Sequence, residues 1–144
     1  MKKIILSTTC LIIFLAQTAL SASIGYVDYQ KVVDNYPLAQ KYKKEINKKY
    51  EEINKYVEKQ EKEIKKAKEK QTKIELRNKG LAEVEKKQKN YIEVRKKREA
   101  EIANKIKIAA DKVRVEKKLD IIIKKDTAVT GGIDVTQDLI NRLK

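Results

Sequence analysis

The sequence contains no histidine, and its one cysteine, Cys10, lies in the apolar N-terminal segment. The usual protein ligands of zinc and other transition metals are therefore missing, and no metal or other cofactor is expected. A single cysteine also provides no intrachain disulfide. A chain without metals or disulfides depends on packing or on oligomerisation for its stability.

The first residues have the pattern of a secretory signal peptide. Lys2 and Lys3 precede an apolar stretch at residues 4–15, and small residues follow at residues 19–23. The stretch is too short for a membrane span. Cleavage after Ser21 fits best, with Ala22 and Ser23 nearly as good, so residues 1–21 are interpreted as a signal peptide. Lipidation of Cys10 is an alternative, but residues 7–9 make a poor lipobox.

Basic residues exceed acidic ones, with 35 Lys and Arg against 21 Asp and Glu and a net charge of +14. Residues 1–21 hold two lysines and no acid, so their removal leaves +12. Such a charge attracts nucleic acids, anionic lipids or acidic proteins, and export argues against a nucleic-acid partner. AT-rich codon usage is an alternative origin for the many lysines.

Residues 38–118 contain no proline and one glycine, and their pattern predicts long helices. Glu precedes Lys by four residues at several places, for example Glu45/Lys49 and Glu93/Lys97, which supports a solvated helix. Apolar residues recur at steps of three and four, as in a coiled coil: Ala39, Tyr42, Ile46, Ile53, Val57, Ile64, Ala67, Ile74, Leu81, Val84, Tyr91, Ile102, Ile106, Ala109 and Val113.

A single helix over this region would be about 120 Å long, so we expect it to fold back on itself. A capping box from Thr72 to Glu75 favours a turn near residues 71–72, and residues 78–80, which end in Gly80, are the alternative. Only Ile64 and Ala67 are apolar between residues 58 and 73, so the far ends should splay. The firmer seam is expected at the near ends, at Tyr42, Ile46, Ile106, Ile108 and Val113.

Both ends of the mature chain carry strand-like segments. Residues 24–28 predict a strand followed by a short helix capped by Asp28, and Pro37 ends that helix or opens the next. Residues 119–136 predict a strand, a turn, a second strand at residues 127–130 and a turn at Gly131 and Gly132. A last short helix, capped by Asp134 or Thr136, should place Val135, Leu139, Ile140 and Leu143 on one side. The resulting core is thin, so several copies should complete it.

The terminal segments at residues 24–28 and 119–136, together with the charged helical middle, resemble the Skp/OmpH family of periplasmic chaperones. The resemblance covers the mature chain. It implies a mainly α fold with a small β body, in which a long antiparallel helical hairpin forms an arm and the terminal strands of three subunits form the body of a jellyfish-like trimer. Residues 22–144 would be one domain, with 22–37 and 119–144 in the body and 38–118 in the arm.

The resemblance implies an ATP-independent holdase that keeps unfolded outer-membrane proteins soluble in the periplasm. Lipopolysaccharide or an anionic membrane surface is a further partner, suggested by the basic cluster at residues 95–98. The candidate residues of the oligomer body are Ile24, Tyr26, Val27, Ile121, Ile122, Ile123, Val129, Ile133, Leu139 and Ile140. The candidate client-facing residues of the arm are Tyr56, Ile64, Lys86, Lys89, Tyr91, Arg95, Lys96, Lys97 and Arg98.

Two other functions compete with the chaperone: a coiled-coil spacer or tether of the envelope, and a binder of envelope lipid or polysaccharide. An enzyme is not expected. Asp126, Asp134 and Asp138 are the only clustered carboxylates away from the long helices, and they lie where turns and caps favour Asp. No nucleophile or phosphate-binding loop accompanies them.

Overall fold

The computed structural model describes residues 22–144, and long helices dominate them. In chain order the elements are β1 (Ile24–Val27), α1 (Tyr29–Asn35), α2 (Pro37–Lys66), α3 (Lys70–Glu116), β2 (Ile121–Lys124), a 3-10 helix (Lys125–Thr127), β3 (Ile133–Asp134) and α4 (Thr136–Leu143). This confirms the mainly α fold with a small terminal sheet. Within residues 22–144, no helix is both long and apolar enough to cross a membrane.

Helices α2 and α3 form the predicted antiparallel hairpin. The 30 residues of α2 span about 45 Å and the 47 residues of α3 about 70 Å, at about 1.5 Å per residue. The turn occupies residues 67–69, a few residues before the predicted position. The predicted capping box is wrong, because Thr72 lies inside α3 and Glu69 occupies the cap position without a side-chain cap. Gly80 also lies within α3 rather than in a turn.

The two helix starts predicted after the first strand, at Asp28 and Pro37, are confirmed. The side chain of Asp28 accepts a hydrogen bond from the backbone N–H of Lys31 and so caps α1. Pro37 opens α2, where its missing N–H leaves no donor unsatisfied. These two residues set the angle at which the chain leaves β1 and enters the hairpin.

The sheet differs from the predicted hairpin of strands. Its order is β2-β1-β3, and β1 pairs in parallel with both neighbours. Residues 125–127 form a 3-10 helix instead of a turn, residues 128–130 form no strand, and β3 begins only at Ile133. The prediction failed because β1 supplies the hydrogen-bonding partner that a local hairpin would otherwise provide, so the chain crosses from one side of β1 to the other.

Gly131 and Gly132 make this crossing feasible rather than closing a hairpin. Both have positive φ, 78° and 92°, which residues with a Cβ rarely adopt. A Cβ on Gly132 would also lie 3.2 Å from the carbonyl oxygen of Ile24. The chain can therefore pass close to β1 before it pairs with it.

The two ends of the chain are joined by hydrogen bonds beyond the strand ladders. The backbone N–H of Asp120 donates to the carbonyl of Ser23 at 2.9 Å, and the N–H of Val135 donates to the carbonyl of Tyr26 at 3.0 Å. The N–H of Asp28 donates to the hydroxyl of Thr136 at 3.0 Å. These bonds hold the sheet and α4 together.

A single apolar core lies between one face of the sheet, the short helices and the body-proximal end of α3. Its fully buried side chains include Val32 of α1 and Leu139 of α4, and Ile122 packs against it. The predicted apolar side of α4 is confirmed at Val135, Leu139 and Ile140. The last turns of α3 contribute Ile106, Ala109 and Val113. Ile108, predicted in the same seam, is instead 49% exposed because it lies on another face of α3.

Candidate functional site

The hairpin is held most firmly near the body, around Arg98. The Arg98 guanidinium lies 3.2 Å from the Glu45 carboxylate on α2 and 3.4 Å from that of Glu101. It also stacks 4.3 Å from the centroid of the Tyr42 ring. The Tyr42 hydroxyl donates a 2.9 Å hydrogen bond to Glu101. Arg98 thus joins both helices and is not a free surface cation.

The electrostatics of this cluster follow from its partners. The hydrogen bond to the Glu101 carboxylate raises the pKa of the Tyr42 phenol, since ionising it would place two negative charges together. The hydrogen bond with Glu45 raises the pKa of Arg98. Tyr42 therefore stays neutral and Arg98 stays charged over the physiological pH range.

The middle of the hairpin is held by polar and aromatic contacts at the surface. The Lys49 ammonium donates to the side-chain oxygen of Asn90 at 3.3 Å. The rings of Tyr50 and Tyr91 lie 6.1 Å apart, centroid to centroid. The Lys87 ammonium lies 5.3 Å over the Tyr56 ring. The predicted client-facing tyrosines therefore pair with the neighbouring helix, and both are half-buried.

The tip end of the hairpin contains an open groove between α2 and α3, with a volume of about 570 Å³. Val57 and Ile64 line it from α2, and Leu81 and Val84 line it from α3. Leu81 is 62% exposed. Ile74, which is 44% exposed, follows the coiled-coil spacing as Leu81 does, but neither residue is buried in this part of the hairpin.

The predicted basic residues of the arm divide into two groups. Lys86, Lys89, Lys96 and Lys97 are exposed, and none of them forms an ion pair within residues 22–144. Arg95 is exposed but engaged, since it pairs with Glu99 at 3.5 Å and lies over the Tyr91 ring. Residues 95–98 are therefore not one free basic cluster.

The sheet has one face against the core and an opposite face that is partly exposed in the protomer, where Tyr26 lies beside the crossing loop. Gly25, Val27 and Ile122 belong to the core side, as their burial shows. The alternation of the strands places Ile24, Tyr26, Ile121 and Ile123 on the opposite face, where β1 and β2 pair Ile24 with Ile121 and Tyr26 with Ile123. Ile24 and Ile121 are 40% and 49% exposed.

Residues 23–143, nearly all of the described chain, match the family model whose description is "Outer membrane protein (OmpH-like)". The protein belongs to the OmpH-like family. This family consists of periplasmic chaperones of outer-membrane proteins, and its members are not enzymes. A search of curated proteins finds no match to this chain.

The predicted residues of the oligomer body fall into three groups in this OmpH-like protein. Val27, Leu139 and Ile140 are buried within the protomer and Ile122 packs against the same core. Ile24 and Ile121 are exposed on the opposite face of the sheet, and Tyr26 and Ile123 are half-buried there. Val129, which is 99% exposed, and Ile133, 49% exposed, lie on or beside the crossing loop. The structure thus separates the residues that stabilise the protomer from those available to a second chain.

Two of the three carboxylates that could have suggested an enzyme, Asp134 and Asp138, have structural partners in the OmpH-like body. The Asp134 carboxylate accepts a 2.9 Å hydrogen bond from the backbone N–H of Thr136 at the start of α4. Hydrogen bonds from the hydroxyl and the backbone of Thr136 lower the pKa of Asp134. Asp138 forms an ion pair with Lys117 at 2.9 Å.

Sequence reasoning missed the tip groove because its lining residues follow the same heptad spacing as buried positions. Lys65, Arg77 and Gly80, which also line it, gave no separate signal. The scarcity of apolar residues between positions 58 and 73 was the one available indication, since a seam without apolar partners leaves space.

Proposed function

We propose that this protein is an ATP-independent holdase that binds unfolded outer-membrane proteins in the periplasm and prevents their aggregation. The observation that carries the proposal is an arm that exposes unpaired lysines beside a few apolar side chains. An unfolded barrel protein presents alternating apolar residues and unpaired backbone, which aggregate in water. Many weak contacts along such an arm can hold that chain without a chemical reaction.

We further propose that the working form is an oligomer, and by family resemblance a trimer. The support is the sheet face of Ile24, Tyr26, Ile121 and Ile123, which is apolar and is exposed in the protomer at Ile24 and Ile121. A solvent-exposed apolar patch rimmed by polar residues commonly marks a protein interface. Three such faces brought together would complete the thin body and place three arms around one cavity.

The export signal and the domain limits belong to the same proposal. Residues 1–21 lie outside the described residues, and their interpretation as a cleaved signal peptide stays a prediction. We propose that residues 22–144 act as one domain, with a body of residues 22–37 and 119–144 and an arm of residues 38–118. Mass spectrometry of the protein from the periplasmic fraction should find an N-terminus near Ala22 and no lipid on Cys10.

The exposed lysines should make client capture depend on salt. Charges at the surface are screened beyond about 8 Å at physiological ionic strength. Reversing Lys86, Lys89, Lys96 and Lys97 to Glu changes the charge by two units at each site and lowers the mature net charge from +12 to +4. We expect slower capture of an acidic unfolded barrel protein and nearly unchanged helix content, because Glu and Lys have similar helix propensities.

A matched control reverses Lys41, Lys105, Lys107 and Lys112, which are also exposed but lie closer to the body. Both variants have the same net charge, so equal losses would assign capture to the overall field rather than to Lys86, Lys89, Lys96 and Lys97. The assay is light scattering of a urea-unfolded outer-membrane barrel after dilution without ATP. A spacer would leave aggregation unchanged at every salt concentration, and that result would refute the holdase.

An anionic lipid surface or lipopolysaccharide is the second partner that the exposed lysines support. Arg95 and Arg98 are engaged within the hairpin, so Lys96 and Lys97 would provide that contact. Vesicles with and without anionic lipid, added to the scattering assay, separate the two partners. Competition by the anionic vesicles alone would indicate a shared basic surface.

A further inference from the structure

Close packing between α2 and α3 stops well before the tip. Ile53 is the last buried apolar residue of α2, and in α3 only Gly80 is buried before Ile106. Between these points and the turn, the apolar side chains beside the other helix are half-buried, as at Val57 and Val84, or exposed, as at Leu81. The hairpin therefore lacks one layer of its core near the tip.

The tip groove occupies the place of this missing layer. Its volume of about 570 Å³ lies within the range of about 300–1,000 Å³ that is usual for sites that bind small ligands. Gly80 lets the Gln60 side chain of α2 pack directly against α3, because a Cβ there would lie 3.1 Å from the side-chain oxygen of Gln60. Most of the lining surface is apolar, with Val57, Ile64 and Val84 half-buried around the more exposed Leu81.

The rim of the groove carries two cations without an ion-pair partner among the described residues. Lys65 on α2 and Arg77 on α3 line the groove, and neither forms an ion pair within residues 22–144. Glu61 is the one acid on the rim. Between Val57 and Val84 the chain has nine basic and six acidic residues. The groove is thus an apolar cleft in a positively charged segment.

We propose that this groove binds a bulky apolar side chain, above all an aromatic one, of an extended polypeptide that carries acidic residues beside it. The inference rests on the proposed holdase function and assigns it a defined contact site. An aromatic side chain buries about 150–250 Å² and can fill the missing layer. Acidic neighbours would then face Lys65 and Arg77 from the bound chain.

A second copy of the arm is a poorer occupant of the groove. Two tips of the same sequence carry the same net positive charge, and like charges disfavour their approach. An extended client chain with acidic residues meets no such repulsion. Because alternate side chains of a strand share one face, an apolar side chain can enter the groove while acidic side chains two residues away on either side face the rim.

Occupation of the groove should also stiffen the tip. A ligand that binds only the packed form of the hairpin stabilises that form by mass action. A client side chain would complete the layer between Val57 and Val84 and would raise the protection of the tip amides against hydrogen exchange. The arm would then be least ordered when it is empty.

The test uses a short extended peptide in which one tryptophan has an aspartate two residues away on each side. The protein contains no tryptophan, so the emission at tryptophan wavelengths reports the environment of the peptide. Leu81→Ser removes the exposed groove side chain and should weaken peptide binding about tenfold. Ile92→Ser is the matched control, because Ile92 is also an exposed apolar residue of α3, at 43%, but does not line the groove. It should change binding by less than about twofold.

Two further variants distinguish a site from general stickiness. Val84→Phe adds apolar surface but fills the groove, so it should weaken binding while circular dichroism shows unchanged helix content. Lys65→Gln combined with Arg77→Gln should reduce the affinity for the acidic peptide to that of a peptide with Asn in place of Asp. Tighter binding by Val84→Phe, or equal losses in Leu81→Ser and Ile92→Ser, would overturn the proposal.

The outcomes also separate this inference from the proposed function. If the protein suppresses aggregation but binds no peptide, the groove is not the contact site and the holdase stands. If it neither suppresses aggregation nor binds peptide, both proposals fail. If anionic vesicles, but not the peptide, lose binding in Leu81→Ser, the groove takes lipid and the inference about a polypeptide is wrong.

Discussion

The most direct test of assembly is the Ile121→Asp substitution on the partly exposed face of the sheet. Ile121 lies on β2 opposite Ile24 of β1 and is 49% exposed in the protomer. About half of its side chain is therefore already in water, and a carboxylate at this position can stay hydrated in a monomer. If three such faces meet in a body, the same carboxylate is withdrawn from water without a partner.

The expected loss of free energy differs between the folded monomer and the assembled body. Burying a full Ile side chain contributes about 1.5–3 kcal/mol, so losing the buried half costs the protomer roughly 1 kcal/mol. An unpaired carboxylate in a buried interface costs several kcal/mol for each subunit, even after relaxation and water penetration. Association should therefore weaken far more than folding. Ile122→Asp is the contrasting variant, since Ile122 packs against the protomer core and its replacement should unfold the body itself.

Sedimentation velocity and circular dichroism measure the two effects separately. We expect wild type to sediment as an oligomer, Ile121→Asp as a folded monomer with nearly full helix content, and Ile122→Asp with loss of structure. An Ile121→Asp protein that sediments as the wild-type oligomer would refute the assignment of this sheet face to the interface. A monomeric wild type would refute it equally.

Two further predictions concern the stability of the body. Gly25→Ala should lower the free energy of unfolding by about 1–3 kcal/mol in urea titrations, because its Cβ would lie 2.6 Å from Leu119 Cδ1 in the core; unchanged stability would mean that the core can shift at this position. Asp134→Ala should cost about 0.5–2 kcal/mol at neutral pH, since it removes the acceptor at the start of α4. The pKa of Asp134 is lowered in the folded protein, so its contribution is present above the unfolded pKa of about 3.9 and is lost as the pH falls through the lower folded value. In thermal unfolding, the difference in Tm between wild type and Asp134→Ala should disappear below about pH 4. A difference in Tm that persists there would contradict this account.

The helices could be predicted from the sequence because their signals are local. Asp28, Pro37 and the unbroken three-and-four spacing each act within a few residues, and the structure confirms the elements that they predict. The turn was placed only a few residues from its position at residues 67–69. The capping box failed because Thr72 and Glu75 are also ordinary helix residues once the helix has started earlier.

The sheet could not be predicted from local pattern, because its partners are distant in sequence. Gly131 and Gly132 have the pattern of a hairpin turn, but β1 lies between β2 and β3, so these two strands do not pair with each other. The pairing of Ile24 with Ile121 depends on the hairpin bringing the chain ends together. Strand segments were therefore foreseen where β1 and β2 lie, but their direction and the position of β3 were not.

Residue roles on the arm were the hardest to foresee, and Arg98 shows why. In the sequence it is one of four adjacent basic residues, but a helix separates adjacent residues by about 100° around its axis. Arg98 therefore faces Glu45 and Tyr42, whereas Lys96 and Lys97 remain exposed. A run of charge in a helix is a property of the sequence, and a charged surface is a property of one helical face.

The weak packing of the distal arm is consistent with the proposed work of the arm. A tip rich in apolar residues would close on itself or associate with other tips, since large exposed apolar patches promote aggregation. A fully charged tip would offer no apolar contact to an unfolded barrel. Half-buried residues such as Val57 and Val84, surrounded by lysines, are intermediate between these two cases. The contacts of Arg98 near the body keep both helices aligned, while the tip stays open to a client.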